Sequence, residues 1–472
     1  FDSIFFFGGS TWSLQYQEDN IGLQAVSAVD SMHVWAAGID HMYFGGQNTN
    51  LSTWYLAEGT TDWGFYCLII MENPNDEEVT VQVTYMTPQG PVIRPEITLA
   101  PTSVTYLDPS EDLGAEEFST KVECLEGKTI AVQRTMLWAA SGQMPEGHTS
   151  IGVTAPAKTW YLPEGSSKWG FECWLLIQNP SSTDASCDIT YMIEGAGPAT
   201  FTETISANSR CTFSMFDYIG AQDASIRVQA NVPVIPERAM YRNGRREGHD
   251  SIGTTTPSTD YYLAEGTTDW GFTTYVLVQN PNSTPANVDI TYMTDTGPVS
   301  GGSFAMDANS RKTICVNDWV VADLSTRVHS NKPIIAERAM YWDSGYGEAC
   351  HDSIGLSAPH KCFYLPDGET SAGDPEQGYP DGETWTLVQN PNAVQVSVRI
   401  DYFGPEGYPD YTVQATIPAN SRKTFSMADV NPEGTAAIKV ECTTADKKIM
   451  AEQAMYIGWR CLGVDTIGGY SD

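Results

Sequence analysis

Asn73-Pro74-Asn75-Asp76-Glu77-Glu78-Val79-Thr80-Val81-Gln82-Val83-Thr84-Tyr85 carries the pattern that decides the fold. Asn-Pro-Asn is turn chemistry, because proline fixes φ and asparagine tolerates unusual backbone angles. From Val79 to Tyr85 apolar and polar residues alternate with the period of two of a half-buried strand. With the apolar run before the turn, this makes a hairpin. The arrangement recurs at Asn179, Asn280 and Asn390, each followed by a strand closing on a tyrosine: Tyr191, Tyr292 and Tyr402.

Working outward, the hairpin belongs to a larger unit written four times. Trp54-Tyr55-Leu56-Ala57-Glu58-Gly59 opens the first copy. Trp160–Gly165, Tyr261–Gly266 and Phe363–Gly368 open the others. The copies lie roughly 100 residues apart, a domain-sized period rather than the 20–50 residues of a stacked solenoid. In the fourth copy the interval before the hairpin is longer, through a Gly/Pro/Asp-rich insertion within Gly368–Gly382. After each hairpin come Ala207-Asn208-Ser209-Arg210 and its copies Ala308–Arg311 and Ala419–Arg422, with Pro101-Thr102-Ser103-Val104 in the first unit. Pro233–Tyr241 recurs as Pro333–Tyr341, and more loosely as Ile130–Leu137 and Ile449–Tyr456. About seven short strands per unit, with no sustained helical period, predict an all-β fold of four tandem immunoglobulin-like β-sandwiches.

The units are joined by His148-Thr149-Ser150-Ile151-Gly152, His249-Asp250-Ser251-Ile252-Gly253 and His351-Asp352-Ser353-Ile354-Gly355. The spacing from each His to the next Tyr-Leu phrase is constant, so the sequence predicts connector turns of fixed geometry and a stiff row of domains. Expected boundaries are 1–50 for an N-terminal segment, then 51–148, 149–249, 250–351 and 352–472 for the repeats. Fragments of the connector stand at both ends, as Phe1-Asp2-Ser3-Ile4 and Val464-Asp465-Thr466-Ile467-Gly468. A strand-like tail of that kind invites pairing with another copy of the chain. Phe1, Ile4, Phe5, Phe6, Phe7, Val464 and Ile467 are therefore the candidate assembly contacts.

Composition narrows the function classes. The 472 residues hold 25 Lys and Arg against 59 Asp and Glu, a formal net charge of −34. Nucleic acid is excluded as a partner, since phosphate binding needs clustered cations. No apolar run is long enough for a transmembrane helix, so no membrane insertion is expected. Ten cysteines without metal-ligand spacing read as disulfides of an extracellular or cell-surface protein. Candidate pairs are Cys67 with Cys124, Cys187 with Cys211, Cys350 with Cys362, and Cys442 with Cys461, leaving Cys173 and Cys315. Two sequons, at Asn50 and Asn282, offer glycosylation sites in that setting.

The recurring acids Glu58, Glu164, Glu265 and Asp367, with Glu237 or Glu337, have the residue types of a glycosidase pair. A residue repeated in every unit reads better as a building part, in ion pairs or strand-end hydrogen bonds. The adjacent His, Asp and Ser of the connector read likewise as local turn bonding rather than a triad, whose members converge from separated positions. No catalytic, cofactor or metal site is therefore assigned. Calcium is the one ion with candidate oxygen-rich loops, Glu111–Glu117 and Asp374–Asp381. Trp63-Gly64-Phe65, Trp169-Gly170-Phe171 and Trp270-Gly271-Phe272 sit at matched positions. They are expected in the sandwich core or between domains; exposed, they would be stacking sites for sugars.

Residues 8–46 fall outside the repeat. Gly8-Gly9-Ser10-Thr11-Trp12 and Val34-Trp35-Ala36-Ala37-Gly38 resemble one blade of the sialidase-type (BNR) and photosystem-II-stability-factor-like β-propellers. The four units are similar to the Trp-Tyr-Leu-Ala-Glu-Gly repeats of large secreted bacterial surface proteins. That resemblance implies a cell-surface or extracellular product and no activity. The expectation is a non-enzymatic structural protein that builds a filament, sheath or layer from copies of itself. The alternative is a monomeric adhesin or carbohydrate-binding stalk, with glycans as partners.

Overall fold

The computed structural model describes residues 51–139, 145–345, 347–373, 381–405 and 407–472, with five strands of the first fifty residues. It is all-β, and the helices among the described residues are single turns such as Ser110–Leu113 and Met215–Ile219. The chain divides into two compact units, Phe1–Asn50 and Leu51–Asp472. In the first, Asp2–Phe7 pairs antiparallel with Trp12–Glu18. Ala25–Asp30, His33–Ala37 and Met42–Gly45 form a three-stranded antiparallel sheet. Ile4, Phe5, Phe6 and Phe7 thus lie on a paired strand, while Phe1 and Asn50 fall outside the described residues.

The second unit holds the four repeats, each a β-sandwich. In repeat 2 the first sheet carries Gly197–Ile205, Ala185–Ile193 and Ala157–Leu162, and the second Ser209–Ser214, Phe171–Asn179 and Glu247–Ile252. One long strand, Ala224–Arg242, serves both sheets, pairing the first through its N-terminal half and the second through its C-terminal half. The alternation read from Val79–Thr87 is realised residue by residue: Val79, Val81, Val83 and Tyr85 are buried, and Thr80, Gln82 and Thr84 are half-buried. The turn asparagine has a second role. Asn179 is buried, and its Nδ2 donates to the carbonyls of Thr183 (2.9 Å), Ile205 (3.1 Å) and Ser206 (3.0 Å) while its Oδ1 accepts from Ser181 N (3.0 Å). One amide therefore ties a hairpin turn to a second strand end, which explains its return in every unit.

The expected stiff row is overturned. The His-Asp-Ser-Ile-Gly segments are not connector turns but the last strands of their own units: Glu146–Ile151, Glu247–Ile252, Glu348–Ile354 and Leu462–Thr466. These four strands touch in cyclic order, the last against the first, and together enclose a central cavity too small for more than a water. The repeats form a closed ring with the repeated strand at its hub. The boundaries shift accordingly, since Tyr55 pairs with Val153, Tyr161 with Thr254 and Tyr262 with Leu356, beyond each connector. Glycine lets the hub close: a Cβ on Gly248 would stand 2.9 Å from Met240 O and 3.0 Å from the Trp138 ring of the preceding repeat. The C-terminal tail is not free. Val464 and Ile467 are buried in the hub, and Gly469–Ser471 pairs with Cys362–Leu365.

The junction that closes the ring, between repeats 4 and 1, differs from the other three. Elsewhere a buried glutamine reaches across: the Nε2 of Gln178, Gln279 and Gln389 donates to the carbonyls of Thr120 (3.3 Å), Ile226 (3.2 Å) and Thr326 (3.3 Å). In repeat 1 that position is Glu72, fully buried, with no hydrogen-bond partner for either oxygen among the described residues. Around it Ile70 and Val104 pack against Phe403 and Ala437. Burial pushes the Glu72 pKa well above the carboxylate range, and Lys439 opposes this only in part. A carboxyl with a raised folded pKa stabilises below its ordinary range and loses that contribution as pH rises.

Glu72→Gln restores the cross-junction donor and removes the titration. It should raise the melting temperature by the equivalent of about 1–3 kcal/mol, more at pH 8 than at pH 5, in calorimetric scans of the whole chain.

Candidate functional site

The charged residues that recur in every unit converge at the junctions. At the first, Arg134 of repeat 1 is completely buried. Its Nη1 donates to Glu237 Oε1 (2.9 Å), and its Nη2 meets Glu58 Oε2 (3.0 Å) and Asp250 Oδ2. Glu237 and Asp250 belong to repeat 2, so one guanidinium binds carboxylates from both sides. His148 Nδ1 lies 2.7 Å from Asp250 Oδ1, and its Nε2 lies 3.1 Å from the Tyr241 hydroxyl. The second junction repeats this with Arg238, Glu164, Glu337, Asp352 and His249. The third uses Arg338, Glu265, Glu452 and Asp465, but there His351 Nδ1 faces Arg338 Nη1 at 3.2 Å.

These contacts set the protonation states. Burial opposes charge on Arg134 and Arg238, yet the surrounding carboxylates hold both well above the ordinary guanidinium pKa. Burial pushes Glu237 up to about 7, Glu337 to about 8 and Glu452 to about 7, against the pull of their arginines. Asp250 and Asp352 are also desolvated, but the nearby Arg and His charges hold them below the carboxylate range. His148 and His249 are raised, burial notwithstanding, by the Asp each contacts, whereas burial takes His351 down to about 4. The Glu-His-Asp triads have metal-ligand residue types, but their donors already surround a guanidinium. The recurring acids thus serve as ion-pair partners, and the connector His pairs across a junction rather than with its sequence neighbours.

At the closing junction the set is replaced: Gln453 for the arginine, Asp367, Gln133 and Thr149 for the acids, Val464 for the histidine. Gln453 Nε2 donates to the Asp367 carbonyl, Tyr106 OH to Asp367 Oδ1 (3.1 Å), and Thr149 shares a hydroxyl contact with Thr135 (2.8 Å).

The other sequence candidates separate. All ten cysteines are free thiols, so Cys67, Cys124, Cys187, Cys211, Cys350, Cys362, Cys442 and Cys461 form none of the expected disulfides. Burial raises Cys67, Cys173 and Cys187 to about 12, away from thiolate chemistry. The Asn282 amide is already spent on Asn280 Oδ1 (2.7 Å) and the Pro333 carbonyl (2.7 Å). In the Glu111–Glu117 loop, Asp112 binds Arg94 (2.7 Å) and Glu117 binds Arg210 (2.9 Å). Residues 374–380 lie outside the described residues, and Asp381 holds the backbone of Trp459.

The tryptophans depart furthest from expectation. Trp63, Trp169 and Trp270 are not core residues but are 70%, 76% and 72% exposed. Each has positive φ, of 58°, 59° and 57°, followed by a glycine that also has positive φ. Asp62 and Asp269 fix this turn by accepting the Trp63 and Trp270 amides on Oδ1 (2.7 and 2.8 Å). The signal available in the sequence was Trp-Gly, preceded by Asp in repeats 1 and 3 and by Lys168 in repeat 2. Trp270 and Phe272 line a cleft of about 280 Å³ at the third junction, facing Trp385, Arg422 and Tyr456 of repeat 4. The first junction has Trp63, Phe65, Trp174, Arg210 and Tyr241 in the same repeat positions, and the second has Trp169, Phe171, Tyr275, Arg311 and Tyr341.

Compared with known proteins, residues 235–332 match the family of unknown function DUF5719. The match begins beside Glu237-Arg238 and ends just before Glu337-Arg338, so it is about one repeat long but takes the end of repeat 2 and most of repeat 3. No curated protein matches. Among solved structures, Thermotoga maritima 1070 is similar at 24% identity and a TM-score of 0.19, over 21% of this chain and 94% of that one. A Streptomyces avermitilis alpha-L-rhamnosidase complexed with L-rhamnose is similar at 8% identity and a TM-score of 0.12, over 91% of this chain and 57% of that one. Scores this low carry no argument about function.

Two outcomes test the junctions. Arg238→Ala leaves three carboxylates buried together and should cost about 3–5 kcal/mol; adding Glu337→Gln, Asp352→Thr and His249→Val, the closing-junction set, should recover most of it in denaturant titrations. The raised acids and histidines hold protons that the unfolded chain releases, Glu237, Glu337 and Glu452 above about pH 4.5, His148 and His249 above about 6.5. Among these junction groups the falling limb therefore begins near pH 4.5, with only His351 opposing it, and stability is greatest near pH 4–5. It falls as pH rises from about 5 to 8, and on the acid side Asp250, Asp352 and Glu265 lose their share below about pH 4. A melting-temperature profile from pH 3 to 9 reads both limbs.

Proposed function

We propose that this chain is a non-catalytic binding protein of the cell exterior, a ring that takes carbohydrate at its junction clefts. The observation that carries the reading is the set of three exposed tryptophans. A left-handed backbone costs an ordinary residue roughly 1–2 kcal/mol, and an indole in water gains nothing from burial to offset it. Strain kept at the same place in three repeats points to use. A broad aromatic face beside arginine donors and carboxylate acceptors suits a pyranose, whose axial C–H groups are apolar and whose hydroxyls are both donors and acceptors.

The recurring carboxylates favour a binding role over hydrolysis, because each is turned into a junction and held there, Glu58, Glu164 and Glu265 by arginine and Asp367 by the Tyr106 hydroxyl. End-to-end assembly finds less support. Val464 and Ile467 are consumed inside the ring, which leaves only the Asp2–Phe7 strand as a candidate contact with other copies.

The test is affinity electrophoresis through a panel of soluble polysaccharides, comparing the native chain with Trp63→Gly/Trp169→Gly/Trp270→Gly. Glycine relieves the left-handed strain, so the triple variant should fold with equal or higher melting temperature and lose retention. A native chain retained by no polysaccharide, or a variant retained equally, overturns the reading.

A further inference from the structure

The three junctions are not chemically equal where the exposed tryptophans sit. At the first two, the arginine after Ala-Asn-Ser meets a carboxylate from the preceding repeat. Arg210 Nη1 lies 2.9 Å from Glu117 Oε2, and Arg311 Nη1 lies 3.5 Å from Glu194 Oε2. At the third, Arg422 is as deeply buried, but its side chain bonds only Thr424 Oγ1 (2.7 Å), with no carboxylate in ion-pair contact among the described residues. The place of Glu117 is taken by Asp223 in repeat 2 and Asp323 in repeat 3, which bridge Ser166 and Thr267 as Glu117 bridges Thr60. Arg311 finds its acid instead in Glu194, a position that is the shorter Asp295 in repeat 3, so Arg422 is left with neither partner. Asp323, one methylene shorter than Glu117, stays exposed on the wall of the cleft that Arg422 lines. Substitution has opened an ion pair and left a donor and an acceptor facing one cavity.

The aromatic cover differs as well. At the first two junctions an arginine lies over both the phenylalanine and the tyrosine: Arg245 over Phe65 (5.7 Å) and Tyr241 (5.5 Å), Arg242 over Phe171 and Tyr341 (5.2 Å each). At the third, Arg460 is held by Glu383 (2.8 Å) and lies over Tyr456 (5.4 Å) but not over Phe272.

We propose that the third cleft is the principal sugar site. It takes a neutral pyranose whose adjacent hydroxyls bridge Arg422 Nη1 and the Asp323 carboxylate while the ring lies on Trp270. This rests on the carbohydrate reading above and adds site and sugar class. A uronate would satisfy Arg422 but meet Asp323 with like charge; a vicinal diol satisfies both, donating to the acid and accepting from the guanidinium.

Isothermal titration calorimetry of the full chain, with hexaoses of glucose, mannose, xylose and galacturonate as probes, tests it. The expected result is one site per chain for a neutral hexaose, with no measurable galacturonate binding. Asp323→Asn and Arg422→Gln should each weaken binding at least tenfold. Asp323→Glu keeps the charge, restores the reach of Glu117 and should close the ion pair; it should abolish binding while leaving the fold intact by circular dichroism. Three equal sites, preference for galacturonate, or full affinity in Asp323→Glu overturns this proposal. If Trp270→Gly still abolishes binding in those cases, the carbohydrate reading survives. Absence of binding by every probe, or full affinity in Trp270→Gly, overturns both.

Discussion

A guanidinium shut away from water needs carboxylates around it, and here those carboxylates come from two repeats at once. Arg134, Arg238 and Arg338 each take one acid from their own unit and two from the next. Neither half of such a site is tolerable alone: the arginine would be an unpaired buried cation, and the acids mutually repelling anions. Apolar contact between repeats, such as Phe65 and Trp138 against Tyr241, supplies attraction without fixing an angle. The ion clusters fix register, because a displaced unit would strand charges in the interior. The hub, the strand order and the cleft at the third junction all follow from that registration.

Much of one repeat was legible in the sequence. Alternation along Val79–Tyr85 gave a strand and its buried face, and the Asn-Pro turns gave the hairpins. The ring was not legible, since its closure depends on contacts between residues one to four hundred positions apart. His148 is followed by Thr149 in sequence, but its acid is Asp250, at the same place one repeat later.

The tryptophans were misread for a related reason. A large aromatic is usually core, and Trp54 and Trp160, buried with their indole N–H groups on backbone carbonyls, follow that rule. Trp63, Trp169 and Trp270 break it because each sits with the following glycine in a left-handed turn, set in Asp62-Trp63-Gly64 and Asp269-Trp270-Gly271 by the aspartate, which holds the ring outside whatever its hydrophobicity. Local backbone chemistry outweighed the average preference of the side chain. The open ion pair at the third junction was beyond sequence for a geometric reason: an aspartate facing an arginine looks like a salt bridge until their separation is known.

The closing junction, which lacks the buried arginine of the other three, has a consequence for how such a ring can change. Four identical chains arranged around an axis would have to carry every substitution four times, so Glu72 or Val104 would appear at all the seams together. Joining the copies in one polypeptide gives each seam its own address. One seam can be apolar and titratable, two can have their arginines paired, and another can leave a guanidinium open, while all share the same hub. Covalent linkage thus turns a symmetric frame into one that can specialise a quarter at a time.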